Sequence, residues 1–102
     1  MKKFKGSNKK ILRGLAHNLN PSAFIGQKGI TATLLEEIDQ ALEATELIKI
    51  KFNDFKKKDQ KQYLINKIIK KTNSHLAGMI GHVAILYRQN DCLAKQSINL
   101  IV

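Results

Sequence analysis

Apolar residues follow two rhythms along this chain, one of three to four residues and one of two. Between Asn8 and Leu19, the residues Ile11, Leu12, Leu15, Ala16 and Leu19 recur at helical spacing, with Ser7 as a suitable N-cap. Lys9, Lys10, Arg13 and His17 fall on the other side of that helix. Asn20-Pro21 ends it, because proline disfavours helical backbone in the residue before it. Ser22 to Ile25 reads as a short strand running into Gly26-Gln27-Lys28-Gly29. A second helix carries Leu34, Leu35, Ile38, Ala41 and Leu42 on one stripe. Thr31 or Thr33 can cap it, and Thr33 with Glu36 fits the Thr-x-x-Glu capping box.

The rhythm then shortens. Ile48, Ile50 and Phe52 alternate with Lys49 and Lys51, which predicts a strand with the lysines on the opposite face. Asn53 to Gln60 is a charged connection. A third helix runs to about Lys71, with Tyr63, Leu64 and Ile68 expected inward and Ile65 and Ile69 as further candidates. Thr72-Asn73-Ser74 breaks it. Leu76 to Ile80 and Val83 to Tyr87 are short apolar runs that Gly81-His82 can join as a tight hairpin. The order α-β-α-β-α-β-β implies an α/β two-layer sandwich of helices packed on a sheet. Strand order does not follow from the pattern. Residues 1–6 form a basic arm, 7–88 the domain, and 89–102 a tail whose apolar end, Ile98 to Val102, is either an added edge strand or unpaired.

The 102 residues suffice for one compact core, since a chain of this size buries roughly 65% of its unfolded surface. No apolar run approaches the ~20 residues that span a bilayer. The start, Met1-Lys2-Lys3-Phe4-Lys5, has no apolar stretch after it and is not expected to be a secretory signal. Cys92 is the sole cysteine, which suits a reducing cytoplasm. A monomer in the cytoplasm is expected.

Charge sharpens the picture most. Eighteen Lys and Arg face eight Asp and Glu, a net charge of +10, which points to a polyanionic partner. Five of the acids (Glu36, Glu37, Asp39, Glu43, Glu46) fall on one short segment, so the rest of the chain is more basic still. A solvating lysine coat would intersperse the two signs.

Candidate chemistry is sparse. His17, His75, His82 and Cys92 show no zinc-ligand spacing, and no nucleophile elbow or Walker loop is present. No catalytic residue, metal, cofactor or small-molecule substrate is expected. Two Gly-x-x-Gly segments occur. Gly78-Met79-Ile80-Gly81 has apolar inner residues and reads as strand and turn. Gly26-Gln27-Lys28-Gly29 lies between a strand and a helix N-terminus. Glycines there let backbone N–H groups approach a phosphate, and the helix end favours negative charge. A simple turn is the competing reading of the same four residues.

The residues Leu12-Arg13-Gly14-Leu15-Ala16-His17, Asn20-Pro21, Phe24-Ile25-Gly26-Gln27-Lys28-Gly29-Ile30-Thr31, Leu35-x-Glu37-Ile38-x-Gln40-Ala41-Leu42-Glu43, Glu46 to Lys51, Ile80-Gly81 and Leu86-Tyr87-Arg88 form an ordered set. In that order the chain resembles the CRM domain (chloroplast RNA splicing and ribosome maturation) in its stand-alone bacterial YhbY-type form. The resemblance implies a mixed four-stranded sheet with three helices, similar to the C-terminal domain of bacterial translation initiation factor three. It implies RNA binding, association with precursors of the large ribosomal subunit, and RNA contact through the glycine loop and nearby basic surface. Carried over, the contacts are Gly26, Gln27, Lys28 and Gly29, with Lys9, Lys10, Arg13, His17 and Arg88 as neighbours. Where the family commonly has Lys at the first inner loop position, this chain has Gln27, and after Gly81 it has His82. A protein adaptor that uses the acidic face of helix two on ribosomal particles is the rival expectation.

Overall fold

The computed structural model describes residues 6–90, with side chains from Asn8 onward. The basic arm up to Lys5 and the tail from Asp91, including Cys92, lie outside the described residues. Three helices and four strands follow in the expected order: α1 Gly6–Ala16, β1 Ala23–Ile25, α2 Ala32–Thr45, β2 Leu47–Phe52, α3 Lys58–Thr72, β3 His75–Ile80 and β4 Val83–Tyr87. The sheet is mixed, in the order β1-β2-β4-β3, with β1 parallel to β2 and the other pairings antiparallel.

Local chemistry sets the boundaries. Thr31 caps α2, its hydroxyl accepting from the Leu34 N–H at 3.0 Å, so of the two candidate threonines the earlier one serves. Asn73 closes α3 in the left-handed region, and the Thr72 hydroxyl donates to the Ile68 carbonyl at 2.7 Å. Gly81 turns the β3–β4 hairpin at φ +58, as the first central residue of a two-residue turn requires.

The strand alternation supplies two cores. Ile48, Ile50 and Phe52 of β2 join Ala84 and Leu86 of β4 under α2 and α3, which contribute Leu34, Ile38, Leu42, Ile65 and Ile68. On the opposite face a smaller cluster of Leu47, Ala77, Ile85 and Tyr87 receives Leu12 and Ala16 of α1. The sheet with α2 and α3 is the expected sandwich, and α1 adds a partial third layer behind it.

Two helices sit differently from the periodicity. α1 rests on Asn8, Leu12 and Ala16, while Ile11 and Leu15 are about half exposed. Its apolar residues cover too wide an arc for all to face the sheet. In α3 the buried residues are Ile65, Ile68 and Thr72, and Tyr63 points outward with the Lys67 Nζ 4.7 Å from its ring centroid.

Candidate nucleic-acid interface

β1 leaves the sheet at Ile25, and the chain turns at once. The Gly29 N–H donates to the Gly26 carbonyl at 2.9 Å, and Gly29 takes φ +65. A side chain at Gly29 would be strained by that backbone conformation, while at Gly26 an added Cβ would meet only open space. Gln27 and Lys28 stand exposed at the tip. The loop leads directly into the capped N-terminus of α2, whose first-turn amides carry the positive end of the helix dipole. A shallow depression beside the turn is lined by Phe24, Gln27, Lys28, Leu34 and Glu37.

Two further segments converge on this end of the sheet. The Ile25 carbonyl accepts from the Asn53 and Asp54 N–H groups at 2.9 and 3.2 Å, and the Phe55 ring lies against Gly29. That connection carries Lys56, Lys57 and Lys58, all exposed. The hairpin tip joins it through the Phe52 N–H, which donates to the His82 carbonyl at 2.8 Å. Lys61 Nζ donates to the Gly81 carbonyl at 2.6 Å. The Lys56–Lys58 run was passed over as a charged connection. A run of three lysines, beginning four residues past the end of β2 and leading into α3, was the available signal.

The basic residues of α1 lie along the opposite face from α2 and α3. Lys9, Lys10, Arg13 and His17 are all exposed. Arg13 Nη1 donates to the Ala77 carbonyl at 3.2 Å, and its stem lies over Gly78, where a Cβ would come within 2.6 Å of Arg13 Cδ. The second Gly-x-x-Gly segment is thus strand and turn, as read, with Gly78 giving Arg13 its seat. Lys49 Nζ donates to the His17 and Leu19 carbonyls at 3.1 and 3.0 Å, a cation placed at the negative end of α1. His75 is held below the ordinary histidine value, chiefly by burial and then by the charge of Lys9. Burial and the nearby Glu46 push the Tyr87 hydroxyl up to about 12.

Arg88, expected beside the loop, is elsewhere. β4 runs antiparallel to β2, so its C-terminal end lies beyond Leu47, about 17 Å along the strands from the Lys51–Val83 pair at the loop end. There Arg88 Nη1 meets Asp39 at 2.6 Å and the Thr72 carbonyl at 2.8 Å, with Glu43 at 3.6 Å. The acidic segment is correspondingly occupied: Asp39 and Glu43 pair with Arg88, and Glu46 is buried with its carboxylate accepting from the Asn90 N–H at 2.6 Å. Glu36 and Glu37 are exposed acids of that helix with no cationic partner among the described residues. Among the described residues, no three of His, Cys, Asp and Glu group as a metal site, and no helix is long and apolar enough to cross a membrane.

Comparison with known proteins places this arrangement. The model of the CRS1 / YhbY (CRM) domain family matches residues 4–88. The chain is 41% identical over 83 residues to a Haemophilus influenzae protein named "RNA-binding protein", a match covering 81% of this chain and 83% of the relative. It is 33% identical over 85 residues to the Bacillus subtilis "Probable RNA-binding protein YqeI", covering 83% of this chain and 88% of that one. The solution structure of a Staphylococcus aureus protein, described there as a candidate RNA-binding protein, superposes with a TM-score of 0.80 at 32% identity. That match covers 95% of this chain and all of the other.

Proposed function

Because the chain belongs to the CRS1 / YhbY (CRM) domain family, we propose that it binds RNA through the Gly26–Gly29 turn and the basic surface on either side of it. The observation that carries this reading is the exposed turn itself, with Lys28 at its tip and, behind it, a helix N-terminus that has no acidic residue in its first turn. The Gly29 N–H is spent inside the turn, so the backbone N–H groups from Gly26 to Lys28 are the ones that approach a phosphate, and Lys28 supplies the countercharge. Lys56 to Lys58 extend the positive surface past the loop, and Lys9, Lys10, Arg13 and His17 add positive charge along α1 on the other face of the sheet. Arg88 serves as a clamp between β4 and α2 rather than as a contact. Phosphate contacts supply most of the affinity, and the fold recognises RNA by backbone and shape. The RNA implied by the family resemblance is ribosomal, in precursors of the large subunit.

The test is the double variant Lys28→Glu with Arg13→Glu, checked for folding by circular dichroism. Its RNA affinity is expected to fall about 100-fold at low salt, roughly two phosphate contacts replaced by repulsion. Unchanged affinity in the folded variant rules the surface out. Co-sedimentation from lysate with large-subunit precursors, lost on RNase treatment, supports the ribosomal assignment. Retention after RNase favours the adaptor reading, which has fewer available carboxylates than the sequence suggested.

A further inference from the structure

Strand register lines up four residues in one row across the whole sheet. Phe24 of β1 pairs with Lys51 of β2, Lys51 with Val83 of β4, and Val83 with Ile80 of β3. Ala23 and Ile25 are buried under α2, so the strand pleat turns Phe24 toward the opposite face, the one that α1 covers only in part, at the sheet edge where Phe24 also borders the depression beside the turn. The α1 contacts reach Leu47, Ala77, Gly78, Ile85 and Tyr87, one step or more short of this row. Phe24 is 53% and Ile80 60% exposed at the two ends. Lys51, between them, is exposed and makes no hydrogen bond or ion pair with the described residues.

We propose that this uncovered part of the sheet is a base platform for a single-stranded RNA segment, with Phe24 stacking the base whose phosphate sits at the Gly26–Gly29 turn. The inference rests on the RNA-binding reading and adds to it the class of RNA and the ring that touches a base.

Three features favour this occupant. Phe24 lies two residues before Gly26, so one nucleotide clamped at the turn reaches the ring. The row also mixes apolar side chains with a lysine, which suits a ligand that carries flat apolar faces and charge together. Finally, adjacent strands lie about 4.8 Å apart, more than the ~3.4 Å rise of stacked bases, so bases along the row are splayed over separate side chains. A duplex keeps its bases stacked and paired and cannot offer them to the sheet. A second copy of the chain is disfavoured, because a net charge of +10 and a lysine at the centre of the row oppose self-association.

The chain has no tryptophan, so Phe24→Trp places a single indole on the platform. With a short unstructured RNA, its fluorescence is expected to be quenched in a saturable way, and with the matching duplex it is not. Phe24→Ala should weaken binding of the single strand about tenfold and leave duplex binding and the salt dependence unchanged. Phe24→Tyr should restore the single-strand affinity. Because Phe24 is exposed, thermal melts of all three variants should match the wild type. Equal losses on single strand and duplex, or no loss, overturn the proposal while leaving RNA binding standing. An indole signal that changes with protein concentration in the absence of RNA puts a second copy on the face and also overturns it. No binding of either RNA by the wild type overturns this proposal and the RNA-binding reading together.

Discussion

On the face covered by α2 and α3, Arg88 meets two carboxylates, Asp39 and Glu43. On the face that α1 half covers, Arg13 and Lys49 are held, among the described residues, by carbonyls alone, and Lys51 is exposed. Both kinds of contact fix a cation in place. Only the carboxylate cancels its charge, because a carbonyl is a dipole and leaves the net charge to act on whatever approaches. The segregation of acids onto α2 therefore divides the labour of the two faces. One pairs its arginine with carboxylates, and on the proposed reading the other keeps its positive field for RNA.

That comparison can be broken, and the largest expected effect is on the closed face. Phe52 is fully buried in its core, and Phe52→Ala should cost about 3–5 kcal/mol in urea unfolding, removing RNA binding through loss of the fold. Next comes Arg88→Ala, which strips Asp39 and the Thr72 carbonyl of their donor. It should lower stability by about 1–2 kcal/mol and leave RNA affinity of the folded protein unchanged. A drop in affinity at full stability would erase the distinction between the faces. A smaller change is expected from Gly78→Ala. The added methyl displaces the Arg13 stem, so affinity should fall a few-fold while melting stays within about 1 kcal/mol of wild type.

The smallest effect is in pH. His75 titrates below its unfolded value, so the unfolded chain binds its proton first as pH drops. Its contribution is complete above the ordinary histidine value and is lost as pH falls through the lowered one. Thermal melts of the wild type should decline over that acid window, and His75→Gln should flatten the decline.

Much of this was legible in the residues. The alternation at Ile48, Ile50 and Phe52 against Lys49 and Lys51 assigned the two sides of β2 correctly, because a period of two leaves no rotational freedom. The Gly26–Gly29 turn was legible as well, from glycine spacing between a strand and a helix. The seating of α1 was not. Ile11, Leu12, Leu15, Ala16 and Leu19 span a wide arc, and only the sheet beneath decides that Leu12 and Ala16 are buried while Ile11 and Leu15 face out. Tyr63 failed likewise, since α3 already fills its groove with Ile65 and Ile68. Arg88 was misplaced because nearness in a sequence motif says nothing about which end of an antiparallel strand a residue occupies. The Phe24–Lys51–Val83–Ile80 row depends on the pairing of β1 with β2 and of β4 with both β2 and β3, which no local pattern encodes.

The salt dependence of RNA affinity tests the division between the faces most directly. The slope of log affinity against log salt should become shallower by about one unit for Lys28→Gln and by about one for Lys51→Gln, while Arg88→Ala keeps the wild-type slope. Identical slopes in all four proteins, or a shallower slope for Arg88→Ala alone, would contradict the account.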